Sequence, residues 1–344
     1  MKLSVLDQSP IRRGGSASEA IRETLELAAA TDRMGYSRYW LAEHHNSRGL
    51  ASPAPEILIG AVASRTKRMR VGSGGVMLTH YSPLKVAEQF RMLEALHPGR
   101  IDLGVGRAPG SDSLTARLLA QGRPGVDAYA DELLQLYGFL SNSFPEGHAL
   151  ARIRAMPEVD TMPQLWLLGS SLAGAQYAAE LGWSFCFAHF INPHSGLEAV
   201  KVYRDHFEPS PFLAEPRVSL AISATCGDTT AEAERLSWSR WYWRVGGGAL
   251  GGIPSPEEAL AAAESFTQPE QEYIDFARAT SNFGDAATVK AKIMELSSQY
   301  ATDEVMVVTI TYDFAARVHS YELLAKAFGL AAETAGESLD PVVP

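Results

Sequence analysis

Short apolar runs alternate with amphipathic stretches along the whole chain of 344 residues. Short runs rich in branched aliphatic and aromatic residues are typical of buried strands, whereas apolar residues spaced three and four apart indicate helices. This pattern predicts eight strands, at residues 3–6, 38–42, 69–78, 100–105, 164–168, 183–188, 218–226 and 304–310.

Helix start and stop signals occupy the intervals between these strands. Ser16 and Glu19 form a capping-box pattern before an apolar face, and Gly35 suits the end of that helix. Pro83 is typical of the first position of a second helix. Further helices are predicted at residues 56–65, 127–140, 172–181, 194–207, 229–243, 288–300 and 314–328.

The order of these elements predicts an α/β fold. Strands that alternate with helices pair in parallel through right-handed crossovers, in either an open doubly wound sheet or a closed (β/α)8 barrel. Eight strands, in a chain longer than the ~250 residues typical of the barrel, favour the closed TIM barrel. We expect one domain, residues 1–344, with insertions at the C-terminal rim near residues 106–163 and 244–283, the second containing the glycine-rich run 246–252.

Composition and charge exclude several classes of protein. The chain has 30 basic and 40 acidic residues, a formal net charge of −10, which disfavours nucleic-acid binding. Its apolar runs are shorter than a membrane span, and its start lacks the pattern of a signal peptide. Cys186 and Cys226 lie in apolar runs and form no disulfide framework. We therefore expect a cytoplasmic protein without membrane or nucleic-acid partners.

Polar residues follow several predicted strands, at the end of the barrel where active sites of this fold lie. Gly169, Ser170 and Ser171 lead from the fifth strand into a helix, whose free backbone N–H groups suit an anion. Arg107 follows the fourth strand and is expected to supply a balancing charge. A serine here could instead simply cap the helix. With Arg107 expected nearby, the pattern favours a phosphate site.

Residues 71–78 place three glycines in an otherwise apolar strand. Glycine weakens a strand unless another backbone or a ligand must come close. Two explanations remain open: a flat aromatic ligand lies against this strand, or a bulge here helps to close the barrel. Residues 104–110 lack the spacing of a G-x-G-x-x-G motif, so a Rossmann-type dinucleotide site is not expected.

His44 and His45 follow the second predicted strand. Successive residues of an extended chain point in opposite directions, and no third ligand has recognisable spacing, so we predict no metal site. A histidine at this rim is well placed as a general acid or base, although it could equally be a structural hydrogen-bonding group.

Four segments taken together resemble the bacterial luciferase-like, flavin-dependent monooxygenases, in particular their single-chain group that emits no light. They are LDQSP, RYWLAEHH, RVGSGGVMLTHYSPLKVAEQFRMLEALHPGRIDLGVGRAPGSD and WLLGSS. The resemblance implies a (β/α)8 barrel that binds reduced FMN at its C-terminal mouth, with the flavin supplied by a separate NAD(P)H-dependent reductase. It also implies that dioxygen adds to form a 4a-hydroperoxyflavin, which oxygenates a small organic substrate.

The resemblance also implies which residues hold the cofactor. Arg107, Ser170 and Ser171 would hold the FMN phosphate, and Ser170 replaces an acidic residue of luciferase, which should ease phosphate binding. Gly74 and Gly75 match the place where the family has a non-prolyl cis peptide beneath the isoalloxazine ring.

Two histidines are assigned by the same resemblance. His44 matches the histidine on which luciferase catalysis depends, and an ordinary pKa of about 6.5 would let it exchange protons at pH 7. His189 lies where luciferase has a tryptophan near the flavin, so the shape of that wall is expected to differ.

Other possibilities remain open from the sequence. The same fold could serve a deazaflavin- or nicotinamide-linked oxidoreductase, or a non-catalytic flavin-binding partner subunit, which the retained site residues disfavour. The family implies a homodimer through the helices after the second and third strands, near residues 57–62 and 86–96. Aromatic residues at 238–243 hint at an apolar or aromatic substrate, but packing of that helix explains them as well.

Overall fold

The computed structural model describes residues 1–122, 128–246 and 251–330. Two predicted features fall partly elsewhere. The first residue of the helix predicted at 127–140 and residues 247–250 of the glycine-rich run lie outside the described residues, as do residues 331–344 of the expected single domain.

Eight parallel strands close into a barrel, which confirms the predicted (β/α)8 fold. The barrel closes because the last strand pairs with both the first strand and the seventh. A short extra strand (Asn282–Gly284) is not one of the eight and pairs only with the end of the seventh barrel strand. The strands are β1 (Lys2–Asp7), β2 (Arg38–Leu41), β3 (Arg70–Ser73) with its continuation β4 (Val76–Met77), β5 (Ile101–Gly106), β6 (Gln164–Gly169), β7 (Ser184–Ala188), β8 (Val218–Cys226), β9 (Asn282–Gly284) and β10 (Glu304–Val308).

Helices connect the strands and cover the outside of the barrel. The capping box predicted at Ser16 and Glu19 is present, and Gly35 ends the first helix with a φ of 89°. No helix in the described part of the chain is long and apolar enough to cross a membrane. The helices are α1 (Ala17–Met34), α2 (Pro55–Ala63), α3 (Pro83–Leu96), α4 (Ser113–Ala120), α5 (Tyr129–Ser141), α6 (Leu172–Glu180), α7 (Gly196–Asp205), α8 (Thr230–Val245), α9 (Pro256–Ala263), α10 (Gln268–Thr280), α11 (Ala286–Gln299) and α12 (Phe314–Phe328).

Two details of the predicted element order are wrong. The strand predicted at 69–78 is interrupted at Gly74 and Gly75, which separate β3 from β4. The pattern also gave no helix at α4, α9 or α10 and no strand at β9. Helix α4 buries none of its residues, so no core-facing apolar stripe marks it in the sequence.

A buried network of charged residues closes the N-terminal end of the barrel interior. Arg38 donates to Asp102 Oδ2 at 2.7 Å and to Glu304 Oε1 at 2.6 Å. Arg70 donates to the other Asp102 oxygen at 2.6 Å. The Arg38 guanidinium also lies 5.0 Å from the ring centroid of Trp166, which packs in the barrel interior. These paired groups occupy the N-terminal end of the barrel interior.

Candidate active site

A cavity of about 220 Å³ lies at the carboxyl ends of the strands. Apolar residues from inside the barrel, among them Leu6 and Ala221, form much of its wall. This is the end of the barrel at which the loops carry the chemistry in TIM-barrel enzymes. Six of the seven residues predicted to bind the cofactor line this cavity: Gly74, Gly75, Arg107, Gly169, Ser170 and Ser171.

One corner of this cavity is polar and suits an anion. Ser171 is the N-cap residue of α6, yet its hydroxyl makes no capping hydrogen bond. The first N–H groups of a helix lack partners within the helix, so they are available to a ligand. Arg107 is exposed and forms no ion pair with a described residue. The simple capping alternative therefore does not account for Ser171, and the arrangement fits a phosphate group.

Two tyrosines in this cavity escaped the sequence analysis. Tyr129 is 1% exposed, and its hydroxyl has no hydrogen-bond partner among the described residues. Burial raises its pKa, although the charge of Arg107 acts in the opposite direction, so the hydroxyl keeps its proton and can donate it. Its ring packs edge-on against Tyr177 with centroids 5.9 Å apart. Nothing in the spacing could have paired two residues from separate helices.

The three glycines of the third strand serve two purposes. A Cβ atom at Gly72 would lie 2.4 Å from the backbone oxygen of Asp102, so neighbouring strands require glycine there. Gly74 and Gly75 instead line the cavity, and the peptide bond between them is cis, at the place the resemblance implies. Close strand packing therefore explains Gly72. It also explains Gly75, where a Cβ atom would lie 2.8 Å from the backbone oxygen of Gly104, while the cavity wall limits Gly74.

His44 lies at the same rim of the barrel but is not among the described residues that line the cavity. Its backbone N–H donates to Ser52 O at 2.9 Å, and its buried Nδ1 has no described partner. Burial, with smaller contributions from Arg244 and His45, lowers its pKa to about 4 against the opposing charge of Glu43. The expectation of an ordinary pKa is therefore wrong, because the imidazole is desolvated, and His44 is neutral at pH 7.

Glu43 holds the rim next to His44. This buried carboxylate accepts hydrogen bonds from Met77 N at 3.0 Å and from the Tyr81 hydroxyl at 2.8 Å. His45 Nε2 lies 2.7 Å from the same carboxylate. His45 is thus engaged in the structure of the loop, whereas the side chain of His44 retains an unpartnered nitrogen.

His189 lies away from the main cavity. It lines a smaller cavity of about 40 Å³ together with Arg240 and Arg244, while the next residue, Phe190, lines both cavities. The His189 ring packs edge-on against Tyr300 with centroids 5.8 Å apart, and burial lowers its pKa. The chain therefore presents Phe190 to the main cavity from this segment, where His189 was expected.

The aromatic residues at 238–243 pack among themselves and against the rim segment. Trp241 lies between Trp238 and Phe283, with ring centroids 5.8 and 5.4 Å apart. Tyr242 packs on Phe266 at 5.6 Å. None of these tryptophans and tyrosines lines the main cavity of the described structure, so packing of the helix is the better explanation.

Comparison with known proteins identifies the family. A family model described as luciferase-like monooxygenase matches residues 1–303. A luciferase-like monooxygenase of Escherichia coli (strain K12) is 39% identical over 324 residues, which are 93% of this chain and 95% of that protein. An N-acetyl-S-alkylcysteine monooxygenase of Bacillus subtilis (strain 168) is 38% identical over 332 residues, 95% and 98% of the two chains.

Solved structures agree in fold. Apo-MsnO8 superposes with a TM-score of 0.85 at 35% identity, covering 96% of this chain and 99% of that one. The oxygenating constituent of 3,6-diketocamphane monooxygenase from Pseudomonas putida, solved with FMN, has a TM-score of 0.68 at 20% identity and covers 97% and 99%. An F420-dependent secondary alcohol dehydrogenase has a TM-score of 0.68 at 15% identity and covers 95% and 98%. The chain belongs to the luciferase-like monooxygenase family.

Proposed function

We propose that this protein uses reduced FMN and dioxygen to oxygenate a small organic substrate. The observation that carries the proposal is the polar corner of an otherwise apolar cavity, where Arg107, Ser170 and Ser171 meet the N-terminus of α6. A phosphate matches this set of donors. The apolar remainder of the cavity suits a flat ring system.

Tyr129 supports the same cofactor. A buried hydroxyl without a partner costs about 1–3 kcal/mol, which a bound acceptor would recover. Tyr129 lines the cavity near enough to Arg107 for that charge to affect its pKa. The phosphate of FMN would provide an acceptor there, whereas riboflavin would not.

The chain contributes binding, orientation and exclusion of water. FMN, when bound, supplies the electrons and the reactivity toward dioxygen that no side chain offers. The apolar wall, including Leu6 and Phe190, keeps water away from the reacting groups. We assign proton transfer to His44, whose neutral imidazole and unpartnered Nδ1 lie at the same rim.

A separate NAD(P)H-dependent reductase completes the proposal. Arg107 is exposed, so the phosphate corner opens to solvent at the rim of the barrel. Such an opening suits a flavin that arrives reduced and leaves after turnover. The relative named N-acetyl-S-alkylcysteine monooxygenase makes thioethers of that type the first substrates to try.

Oxygen uptake with reduced FMN tests this function. The purified chain is mixed with FMN reduced by an NAD(P)H-dependent reductase, an N-acetyl-S-alkylcysteine and labelled dioxygen. We expect substrate-dependent oxygen uptake and one labelled oxygen atom in the product. Reduction of a deazaflavin or a nicotinamide without oxygen uptake would instead support hydride transfer, and FMN binding without either reaction would support a non-catalytic subunit.

We also propose a homodimer, formed through α2 and α3. Ile57 of α2 is 71% exposed, and Met92 and Leu96 of α3 are 51% and 61% exposed, an apolar surface of the kind found at interfaces. Leu96→Glu should give a monomer by light scattering, whereas Leu118→Glu on α4, where the leucine is 69% exposed, should leave the dimer intact. A monomeric unmodified protein would refute the proposal.

A further inference from the structure

The smaller cavity contains two arginines that form no ion pair with a described residue. Arg240 and Arg244 line it, and none of its described lining residues is acidic. Arg240 makes no ion pair with a described residue, and its buried Nε has no hydrogen-bond partner. The first acidic residue that follows Arg244 in the sequence is Glu257.

Other arginines of this part of the chain are paired. Arg235, earlier on α8, forms an ion pair with Glu257. Arg278 of α10 forms one with Glu234 at 2.6 Å. Among the described arginines of this part of the chain, the lack of an acidic partner is therefore specific to the two that line the cavity. For Arg240, whose Nε is buried, the absence of a counter-ion is costly.

Packing of α8 fixes where these arginines lie. Trp243 packs in the barrel-interior cluster, and its indole nitrogen occupies the space that a Cβ atom of Gly49 would need. The end of α8 therefore rests on the loop that follows β2. Arg244 is thereby close enough to His44 to lower the pKa of that histidine, and its Nε donates to the Tyr273 hydroxyl at 3.4 Å.

The electrostatics of the smaller cavity favour an anion. Burial and the neighbouring charge of Arg244 lower the pKa of Arg240 to about 10. Arg240 therefore stays charged at pH 7, and the guanidinium of Arg244 adds a second positive charge to the cavity. Its volume of about 40 Å³ exceeds the roughly 10–15 Å³ that one water molecule needs, and the head of a carboxylate fits.

We propose that this cavity binds the carboxylate of the organic substrate. The apolar body of the substrate then passes Phe190, which lines both cavities, and enters the main cavity at the rim that carries His44. The planar guanidinium of Arg240 holds the carboxylate in the geometry that arginine prefers, and Arg244 adds a second charge. The inference rests on the proposed function and names its substrate class as apolar monocarboxylic acids.

Hexanoate and its neutral isostere hexanamide test the site directly. Trp241 and Trp243 follow Arg240 closely on α8, so their fluorescence reports binding in the absence of flavin. Hydrogen bonds to a charged group contribute about 1.5–3 kcal/mol, so we expect hexanoate to bind ~10- to 100-fold more tightly than hexanamide. Arg240→Gln and Arg244→Gln should each reduce this preference, whereas Arg235→Gln and Arg107→Ala should retain it.

Several results would overturn the proposal. Equal binding of hexanoate and hexanamide would refute the carboxylate site. A preference for hexanoate that persists in both glutamine variants would refute it as well. Displacement of hexanoate by equal concentrations of inorganic phosphate would indicate a general oxyanion site instead. If Arg240→Gln fails to fold, the exposed Arg244 decides the matter. A preference for hexanoate that depends on these arginines supports the inference even if the chain shows no substrate-dependent oxygen uptake. The absence of that uptake would refute only the proposed function.

Discussion

The two ends of the barrel interior contain similar charged residues in opposite states. At the N-terminal end, Arg38 is bound by both Asp102 and Glu304, and all three side chains are buried. At the C-terminal mouth, Arg107 and Arg240 form no ion pair with a described residue, and the Tyr129 hydroxyl has no described partner.

We interpret this difference as a division between residues that stabilise the fold and residues that bind a ligand. A buried ion pair has already exchanged its water for protein partners, and removing one member leaves an uncompensated charge. An unpaired donor at the mouth retains its capacity for hydrogen bonding. We therefore expect substitutions at the first end to change stability, and substitutions at the second to change binding or turnover.

The largest effect is expected from Asp102→Ala. Asp102 accepts hydrogen bonds from Arg38, Arg70 and the indole nitrogen of Trp40. Its loss leaves Arg70 without its acidic partner and Arg38 with Glu304 alone. The free energy of unfolding should fall by about 3–5 kcal/mol, measured by urea denaturation. Asp102→Asn, which keeps one acceptor, should cost less. A stable Asp102→Ala variant would mean that this end of the barrel is not held by the network.

His44→Ala should affect turnover at the opposite end. General acid–base catalysis typically contributes ~10²- to 10⁴-fold, so single-turnover oxygenation should fall by about that factor while FMN affinity stays nearly constant. His45→Ala is the matched control, because His45 is tied to Glu43 and should affect the loop instead. If His44→Ala lowers the melting temperature or FMN binding with turnover per bound flavin preserved, His44 is structural.

Tyr129→Phe sharpens the comparison because it should weaken FMN binding without lowering the stability of the flavin-free protein. Removing an unpartnered buried hydroxyl should leave the stability of the flavin-free protein unchanged or slightly higher. FMN affinity should fall by ~10- to 100-fold, since a hydrogen bond to a charged phosphate is lost, while riboflavin affinity stays the same. Tyr177→Phe serves as the neighbouring control. Loss of stability with unchanged FMN affinity would contradict the assignment.

At pH 7 the effect of His44 on stability is complete, and it appears only as a pH dependence on the acid side. Because the pKa of His44 is about 4 in the folded chain and about 6.5 when unfolded, the unfolded state binds more protons between these values. The contribution of neutral His44 to the free energy of unfolding is therefore complete above pH 6.5, and it is lost as the pH falls toward 4. His44→Gln should flatten the acid limb of a urea midpoint-against-pH curve. His319→Gln, whose histidine has a raised pKa, should not flatten it.

The sequence predicted the barrel, and it predicted that Arg107 and the serine pair lie at the same rim, for a physical reason. Buried parallel strands must be continuous apolar runs, and parallel strands bring their carboxyl ends to one rim, so Arg107 and Ser170 had to meet there. Local signals were also reliable where the interaction is local, as for the capping box at Ser16.

The features that could not be predicted from the sequence depend on groups that are distant along the chain or desolvated in the fold. Arg38 and Glu304 are separated by 266 positions, so no spacing rule connects them. The low pKa of His44 results from burial, which becomes visible only once the loop packs. Arg240 resembles any helical arginine in the sequence, and only the structure shows that its buried Nε has no hydrogen-bond partner among the described residues.

The central claim is that the unpaired donors at the mouth hold the phosphate of FMN. Isothermal titration of FMN and riboflavin against the unmodified chain and Arg107→Ala tests it most directly. The unmodified chain should prefer FMN, and the substitution should reduce that preference by ~10- to 100-fold with unfolding free energy changed by less than about 0.5 kcal/mol. Equal affinities for FMN and riboflavin in the unmodified chain would contradict the account.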